Sequence, residues 1–231
     1  MNNDPLVSFI IPTYNSDKTI ERCLKSISAQ TYPNIEIIII DDFSTDNTLR
    51  NILQKNLKNL TLIKQKKNIG PSKCRNIGIL ASKGKYISIL DSDDFIYPNK
   101  TKDQIKFLEN NKEYSFVGSN VIIVDSGKEK FSIRKKQNKE IIKSIYYYNP
   151  ICHSSIIFRK SVFLKTDMYN ENIFFGEDHR LISQLLTLGK GYNIQQYLVK
   201  KFEKYGDNLS SKVDKFKLLY YLFLNRVYIF N

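Results

Sequence analysis

The chain has 231 residues, of which 42% are hydrophobic and 26% are charged, a composition typical of a folded globular protein rather than a disordered one. Its 9 glycines and 6 prolines exclude a collagen-like or linker-like sequence. The net charge of +13 predicts attraction to polyanions, without distinguishing nucleic acid, nucleotide phosphates and an anionic membrane surface.

The first half of the chain alternates between short apolar strands and amphipathic helices. Ile37 to Ile40 is an unbroken isoleucine run, which is typical of a strand buried on both faces in a parallel sheet. We expect the first strand to end at Pro12 and Leu53 to face inward from the second helix. The alternation predicts right-handed crossovers and a doubly wound, mostly parallel α/β sheet flanked by helices. Strands are predicted over residues 7–11, 35–40, 60–63 and 86–90, with helices after Ser16, after Asp46 and over 72–82.

The second half of the chain is less regular, and no linker separates it from the first. We therefore predict one composite domain rather than two. The predicted elements are a helix over 102–110, a strand over 114–124, a basic loop over 127–139, a strand over 154–158 and a helix over 178–188.

Acidic clusters follow two strands of the predicted sheet, DD at 41–42 and DSDD at 91–94. Open α/β sheets bind ligands at the carboxyl ends of their strands. Carboxylates two residues apart can hold Mg²⁺ or Mn²⁺ together with phosphate oxygens. Each cluster alone also fits a helix N-cap followed by a solvated turn. Two such clusters at adjacent strand ends of a cationic protein favour a metal-binding crevice.

Two further segments have both a functional and a structural interpretation. The turn and helix start at 68–78 carry Lys73 and Arg75, which suits anion binding, although such residues are more commonly solvated surface charges. Glu177 and Asp178 begin a helix behind an aromatic pair, and they either complement the helix dipole or supply a general base. The two histidines lack zinc-ligand spacing, so we expect no zinc site.

Six segments together resemble one family. They are VSFIIPTYN (7–15), SISAQTYPNIEIIIIDDFSTDNT (26–48), the turn and helix start at 68–78, GKYISILDSDD (84–94), CHSSIIFRK (152–160) and GED (176–178). In order and spacing, the chain resembles the family 2 glycosyltransferases over residues 6–210. These are inverting enzymes with the GT-A fold, common in bacterial polysaccharide and lipooligosaccharide synthesis.

The resemblance implies a metal-dependent transfer of a sugar from a nucleotide-sugar, by preference a UDP-sugar, to a hydroxyl of a saccharide or lipid-linked acceptor. It implies a single domain over residues 1–211, with the nucleotide-sugar-binding half at 1–98 and the acceptor half at 99–211. Asp178 is implied as the general base, and Asp93, with Asp91, as the ligand of Mn²⁺ or Mg²⁺. Asp42 is implied to read the uracil edge. The residues implied to contact the nucleotide-sugar are Pro12, Tyr14, Asp42, Arg75, Asp91 and Ser92.

The sequence departs from the family pattern at two places. His179 and Arg180 follow the Glu177-Asp178 pair, where an acidic or aromatic residue is common in the family. We therefore expect Glu177, His179 and Arg180 to form an acceptor site that favours a charged or phosphorylated group. Tyr205 stands where many members have a histidine near the metal or the diphosphate.

Residues 212–231 predict a C-terminal amphipathic helix rich in lysine and aromatic residues. Two interpretations stay open, namely packing on the domain and peripheral contact of 212–230 with an anionic membrane surface. No secretory signal and no apolar run of about 20 residues is visible. The three cysteines are too few and too far apart for a disulfide framework. We therefore expect a cytoplasmic protein, which membrane contact would place on the inner face of the cell membrane.

Two alternative functions remain open on the sequence alone. The first is a GT-A domain that binds a nucleotide-sugar without catalysis, which the presence of both Asp93 and Asp178 disfavours. The second is nucleic-acid binding, suggested by the net charge and by the basic stretch at 127–143. The chain has no recognisable groove-reading motif, so we expect no nucleic-acid partner.

Overall fold

The computed structural model of the protein describes residues 4–173 and 176–203, which form one sheet with helices on both faces. The elements are β1 (Val7–Thr13), α1 (Ile20–Ser28), β2 (Ile35–Asp41), α2 (Thr48–Leu53), β3 (Leu60–Lys64), α3 (Pro71–Ala81), β4 (Tyr86–Ile89), β5 (Phe95–Ile96), α4 (Lys100–Asn110), β6 (Tyr114–Asp125), β7 (Lys128–Ser132), α5 (Asn138–Ile145), β8 (Ile157–Arg159), α6 (Lys160–Phe163), α7 (Glu177–Leu188) and β9 (Lys190–Glu203). Among the described residues, no helix has both the length and the apolar character needed to cross a membrane. The predicted C-terminal helix and Tyr205 lie outside them.

The described strands form a nine-stranded sheet in the order β3-β2-β1-β4-β8-β6-β9-β5, with β7 paired to β6 off this path. Strands β3, β2, β1 and β4 are parallel, whereas β8 runs antiparallel to both β4 and β6. Strand β9 is parallel to β6 over most of its length. The predicted doubly wound, mostly parallel α/β sheet flanked by helices is therefore confirmed.

The side chains of the parallel strands alternate between two buried cores, one on each face of the sheet. Phe9 and Ile11 of β1 belong to the core that contains Leu24 of α1, whereas Ile10 belongs to the core that contains Ile79 of α3. Each such side chain contributes about 1.5–3 kcal/mol when fully buried. Because both faces are covered, the unbroken isoleucine run of β2 needs no polar alternation.

Strand β1 continues through Pro12, so the prediction that the strand ends there is wrong. Pro12 pairs in register with Ile40 of β2, but β4 pairs with β1 only as far as Ile10. The β4 side of β1 is therefore unpaired at Pro12. A proline, which has no N–H group to donate, is tolerated at such an edge position.

Three other local predictions are also wrong. Strand β7 lies within the predicted basic loop at 127–139, because Ser126 and Gly127, with φ of 48° and 79°, form a tight hairpin turn after β6. His153–Ser155 is a 3₁₀ turn, which shortens the strand predicted over 154–158. Leu53 is 60% exposed, since α2 ends at that residue.

Strand β9 is the longest strand described, with 14 residues, and the sequence does not predict it. It pairs with β6 through several register shifts, and residues near its end pair antiparallel with β5. Because β5 begins directly after the DSDD cluster, this pairing places Lys201 and Phe202 beside the loop that follows β4.

Lys100, the first residue of α4, is fully buried against the sheet. Its Nζ donates a hydrogen bond to Ser88 Oγ at 3.1 Å and lies 5.8 Å from the centroid of the Phe9 ring. Burial lowers the pKa of Lys100 to about 7. The folded protein therefore binds this proton more weakly than the unfolded chain does.

We expect Lys100 to make the protein more stable as the pH rises from about 7 to 10.5, by up to about 1.4 kcal/mol per pH unit. Below the folded-state pKa, Lys100 is charged in both the folded and the unfolded protein, so burial of the charge has its full free-energy cost. Above that pKa the folded protein releases the proton first, and this cost disappears. Lys100→Met should remove this slope and stabilise the protein by about 2 kcal/mol at neutral pH. Urea unfolding at neutral and alkaline pH measures both effects, with the exposed Lys102→Met as the control. An unchanged slope in Lys100→Met would contradict the assignment.

Candidate active site

The carboxyl ends of β1, β2 and β4 meet at one edge of the sheet, and hydrogen bonds join the loops that follow them. Ser16 Oγ, after β1, lies 2.8 Å from Ser92 Oγ, after β4. Asp42 N, after β2, donates to the Thr13 carbonyl at 2.8 Å. This is the edge at which open α/β sheets bind ligands.

The predicted nucleotide contacts on β1 and β2 lie at this edge. Tyr14 is 52% exposed, and Pro12 is half-buried. Asp42 is buried, and its two carboxylate oxygens accept hydrogen bonds from Ile69 N at 2.6 Å and Gly70 N at 2.9 Å. Asp42 therefore anchors the turn that starts α3, while its contact with a uracil edge stays a prediction.

Arg75 of α3 joins the two acidic motifs. It is 5% exposed, and its guanidinium donates to Asp91 Oδ1 at 2.9 Å and to Glu177 Oε1 at 3.0 Å. Burial opposes ionisation of Asp91, but the charge and the hydrogen bond of Arg75 favour it, and the pKa of Asp91 is lowered. Burial raises the pKa of Glu177 in spite of Arg75. The DSDD loop and the start of α7 are thus held together through one buried cation.

The rest of the DSDD loop is held by α1 and β9. Arg22 of α1 donates to the Asp93 carbonyl, and its guanidinium carbon lies 3.5 Å from the centroid of the Phe202 ring. Phe202 N donates to Asp94 Oδ1 at 3.2 Å. Partial desolvation, followed by the charge of Asp91, raises the pKa of Asp93 to about 6. When ionisation of a carboxylate is opposed in this way, a nearby cation stabilises its ionised form.

This set of carboxylates fits a hard divalent cation that shares its ligands with a phosphate. Mg²⁺ at such sites takes one or two carboxylates and completes its shell with water and phosphate oxygens. Asp91 and Asp93 would supply that number, and because Arg75 already engages Asp91, Asp93 stays the predicted direct ligand. Within 4–173 and 176–203, no cluster of three or more His, Cys, Asp or Glu side chains forms a cage made by the protein alone.

Asp178 lies in the first turn of α7, beside Glu177. Its Oδ1 accepts a hydrogen bond from His179 N at 2.7 Å, and its Oδ2 accepts one from Asn149 Nδ2 at 2.8 Å. Two donors on different segments fix the orientation of this carboxylate, which a positioned general base requires.

Three residues of this region, Asn149, His153 and Tyr169, are not predicted as functional by the sequence. His153 Nε2 lies 2.7 Å from the Tyr169 hydroxyl, and the Tyr169 ring centroid lies 5.6 Å from the Arg75 guanidinium carbon. Burial, and next the charge of Arg75, lowers the pKa of His153 to about 4, so the imidazole is neutral at physiological pH. The CHSS segment could have drawn attention to His153, whereas nothing in the sequence distinguishes Asn149.

His179 and Arg180, which are predicted to contact the acceptor, have partners within the protein. His179 is buried, and its Nε2 lies 2.6 Å from the Ile145 carbonyl of α5. Arg180 Nη2 lies 3.6 Å from Asp167 Oδ2. The structure thus brings Glu177 to Arg75 and the DSDD loop, while His179 and Arg180 contact other segments. Their acceptor role is still a prediction.

Residues 8–166 match the sequence model of the family described as Glycosyl transferase family 2. The chain belongs to this family. The match starts in β1 and ends shortly after α6, so it includes the strand ends and the DSDD loop described above. The predictions of family and of enzyme class, made from six sequence segments, are therefore confirmed, and the protein is a glycosyltransferase.

Two curated relatives agree with this assignment. An uncharacterized glycosyltransferase of Haemophilus influenzae is 33% identical over 224 residues, which are 91% of this chain and 69% of that protein. The amylovoran biosynthesis glycosyltransferase AmsE of Erwinia amylovora is 28% identical over 189 residues, which are 80% of this chain and 71% of that protein.

A solved structure confirms the GT-A fold of this glycosyltransferase. Residues 1–349 of TarS from S. aureus, in complex with UDP-GlcNAc, superimpose with a TM-score of 0.82 at 25% sequence identity. The superposition covers 98% of this chain and 67% of that one.

Proposed function

We propose that this family 2 glycosyltransferase transfers a sugar, with inversion, from a UDP-sugar to a hydroxyl of a saccharide or lipid-linked acceptor in cell-surface glycan synthesis. The observation that carries the proposal is the Arg75 bridge, which brings the DSDD loop and the start of α7 to one edge of the sheet. The TarS complex contains UDP-GlcNAc, which supports a UDP-sugar donor. AmsE is named for amylovoran biosynthesis, which supports a polysaccharide product.

On the donor side, Asp93, assisted by Asp91, would hold Mn²⁺ or Mg²⁺, which when bound neutralises charge on the departing diphosphate. Arg75 holds Asp91 in place through a partly buried ion pair. Ser92 is fixed by Ser16, so the backbone that carries both aspartates is tied to the loop after β1. Tyr14, exposed on that loop, is available to the nucleoside.

On the acceptor side, Asp178 takes the proton of the attacking hydroxyl. The acceptor oxygen forms its bond to the anomeric carbon while the bond from that carbon to the diphosphate oxygen breaks, and the diphosphate leaves with the electron pair. The Asn149 amide holds Asp178 Oδ2, so this carboxylate is oriented before the acceptor arrives. A single displacement inverts the anomeric centre and requires only one base. Positioned general bases typically contribute about 10²- to 10⁴-fold to a rate.

A donor panel tests this proposal. UDP-, GDP- and dTDP-sugars are incubated with the protein and Mn²⁺, and slow hydrolysis to free nucleotide is followed. We expect turnover of a UDP-sugar that disappears when the metal is chelated and falls roughly 100-fold or more in Asp93→Ala. The control is Asp125→Ala, which removes an exposed carboxylate at the turn between β6 and β7. If the folded protein neither binds nor hydrolyses any UDP-sugar with Mn²⁺ present, the proposed donor is wrong.

A further inference from the structure

Residues 131–148, from the end of β7 through α5, carry exposed lysines interleaved with exposed large apolar side chains. Ile133 is 72% exposed and Tyr147 is 74% exposed. The other exposed apolar side chains are Phe131, Ile142 and Tyr148. The exposed lysines that follow β7 are Lys135, Lys136, Lys139 and Lys143. Lys128 and Lys130 are not included, because they lie on the opposite face of β7 from Phe131. We call this the basic–apolar surface.

The local structure explains why these side chains are exposed. Among residues 4–173 and 176–203, strand β7 pairs with β6 alone, so its other edge has no partner strand there. Helix α5 buries Ile141, Ser144 and Ile145. Lys139, Ile142 and Lys143 lie at the complementary helical spacing and therefore share its outward face.

The lysines of this surface are not balanced by acidic residues of the same segment. Residues 128–148 contain two acids, Glu129 and Glu140. Glu129 Oε1 lies 2.6 Å from Lys200 Nζ of β9. Glu140 Oε2 accepts a hydrogen bond from Gln137 N and so caps the start of α5. The surface therefore carries a strong net positive charge and attracts an anionic partner.

We propose that the basic–apolar surface binds the surface of an anionic lipid bilayer. Lysines attract anionic headgroups, and tyrosine side chains lie at the level of the headgroups. Phenylalanine is buried at the boundary between headgroups and acyl chains. Ile133 and Ile142 favour a membrane over other polyanions. Burial of their side chains in acyl chains is favourable, whereas aliphatic side chains make no specific pairing with a base or a sugar ring. Such interleaving is the pattern of an interfacial membrane surface.

The basic–apolar surface adjoins the candidate active site. Tyr148 is followed by Asn149, which holds the carboxylate of Asp178 at 2.8 Å. The chain thus links this surface directly to a residue that holds Asp178, which suits an acceptor carried by a lipid. This last step rests on the proposed function, whereas binding of the bilayer does not.

Vesicle flotation of the full chain, without donor or acceptor, tests the proposal. The vesicles contain phosphatidylcholine alone or with phosphatidylglycerol. The test variants are Ile133→Ser with Ile142→Ser, and Lys139→Gln with Lys143→Gln. The matched controls change exposed residues elsewhere, namely Leu53→Ser with Leu80→Ser, and Lys66→Gln with Lys67→Gln. Circular dichroism checks that each variant is folded.

We expect the wild type to float only with vesicles that contain phosphatidylglycerol. The lysine pair should lower partitioning by roughly thirtyfold, about fivefold per lysine, and the isoleucine pair should lower it several-fold. Both controls should float like the wild type. Failure to float, or test pairs that behave like their controls, overturns the proposal. Loss in the lysine pair alone also overturns it, because the surface would then be a polyanion site without apolar insertion. None of these outcomes depends on sugar transfer.

Discussion

We expect Asp178→Asn to slow turnover of the UDP-sugar by roughly 10²- to 10⁴-fold while the affinity for UDP stays unchanged. Asparagine has the size of aspartate and retains an oxygen that can accept the hydrogen bond from Asn149 Nδ2. It cannot accept the proton of an attacking hydroxyl or water. The loss should therefore fall on the chemical step and not on donor binding.

Nucleotide release, measured under single-turnover conditions, and calorimetric binding of UDP separate these two effects. Asp103→Asn is the matched control, because Asp103 is likewise a first-turn acid, on α4, and its removal costs only the interaction with the helix dipole. Equal turnover in Asp178→Asn and Asp103→Asn would mean that Asp178 only stabilises the N-terminus of its helix. A loss of UDP affinity comparable to the loss of turnover would indicate that Asp178 helps to bind the donor instead.

Arg75→Met should destabilise the protein by about 3–5 kcal/mol, because it leaves Asp91 and Glu177 in a partly buried site without their shared cation. Methionine fills much of the same volume, so the cost arises from charge rather than from a cavity. The free energy of unfolding in urea measures the effect. Adding Asp91→Asn and Glu177→Gln to Arg75→Met should recover much of the stability, but not the turnover, since the metal site then lacks a carboxylate.

The control for Arg75→Met is Lys73→Met, which lies two residues earlier on α3. Lys73 Nζ is 3.3 Å from Glu171 Oε2, and both side chains are exposed to solvent. Such surface pairs contribute about 0–1 kcal/mol, so this variant should unfold close to the wild type. If Arg75→Met is no less stable than Lys73→Met, then Arg75 does not act as the bridge between the two acidic motifs.

The parallel half of the fold and the acidic strand ends are predictable from the sequence because their signals are local. The isoleucine run of β2 requires burial on both faces, and burial on both faces requires helices above and below. The same sheet fixes where strands end, so carboxylates at 41–42 and 91–94 are brought to one edge. The continuation of β1 past Pro12 cannot be predicted from a local signal, because it depends on where β4 stops pairing with β1.

The mixed half of the fold and the network around Arg75 depend on contacts between distant residues. Strand β9 contains Lys190, Gln195, Gln196 and Lys200, and it forms because β6 and β5 supply hydrogen-bonding edges for it. Arg75 bonds to partners 16 and 102 residues away, and its role follows only from burial between them. Nothing in the sequence distinguishes Asn149 from other loop residues, because its role depends on the position of α7.

The stereochemistry of donor hydrolysis tests the central claim most directly, because a single displacement with Asp178 as the only base must invert the anomeric centre. Proton NMR identifies the anomer of the sugar that is released from the UDP-α-sugar found in the donor panel, in the period before mutarotation. We predict that the β-anomer forms first and that its rate of formation falls in Asp178→Asn. Initial release of the α-anomer would show that the configuration is retained, and it would contradict the mechanism.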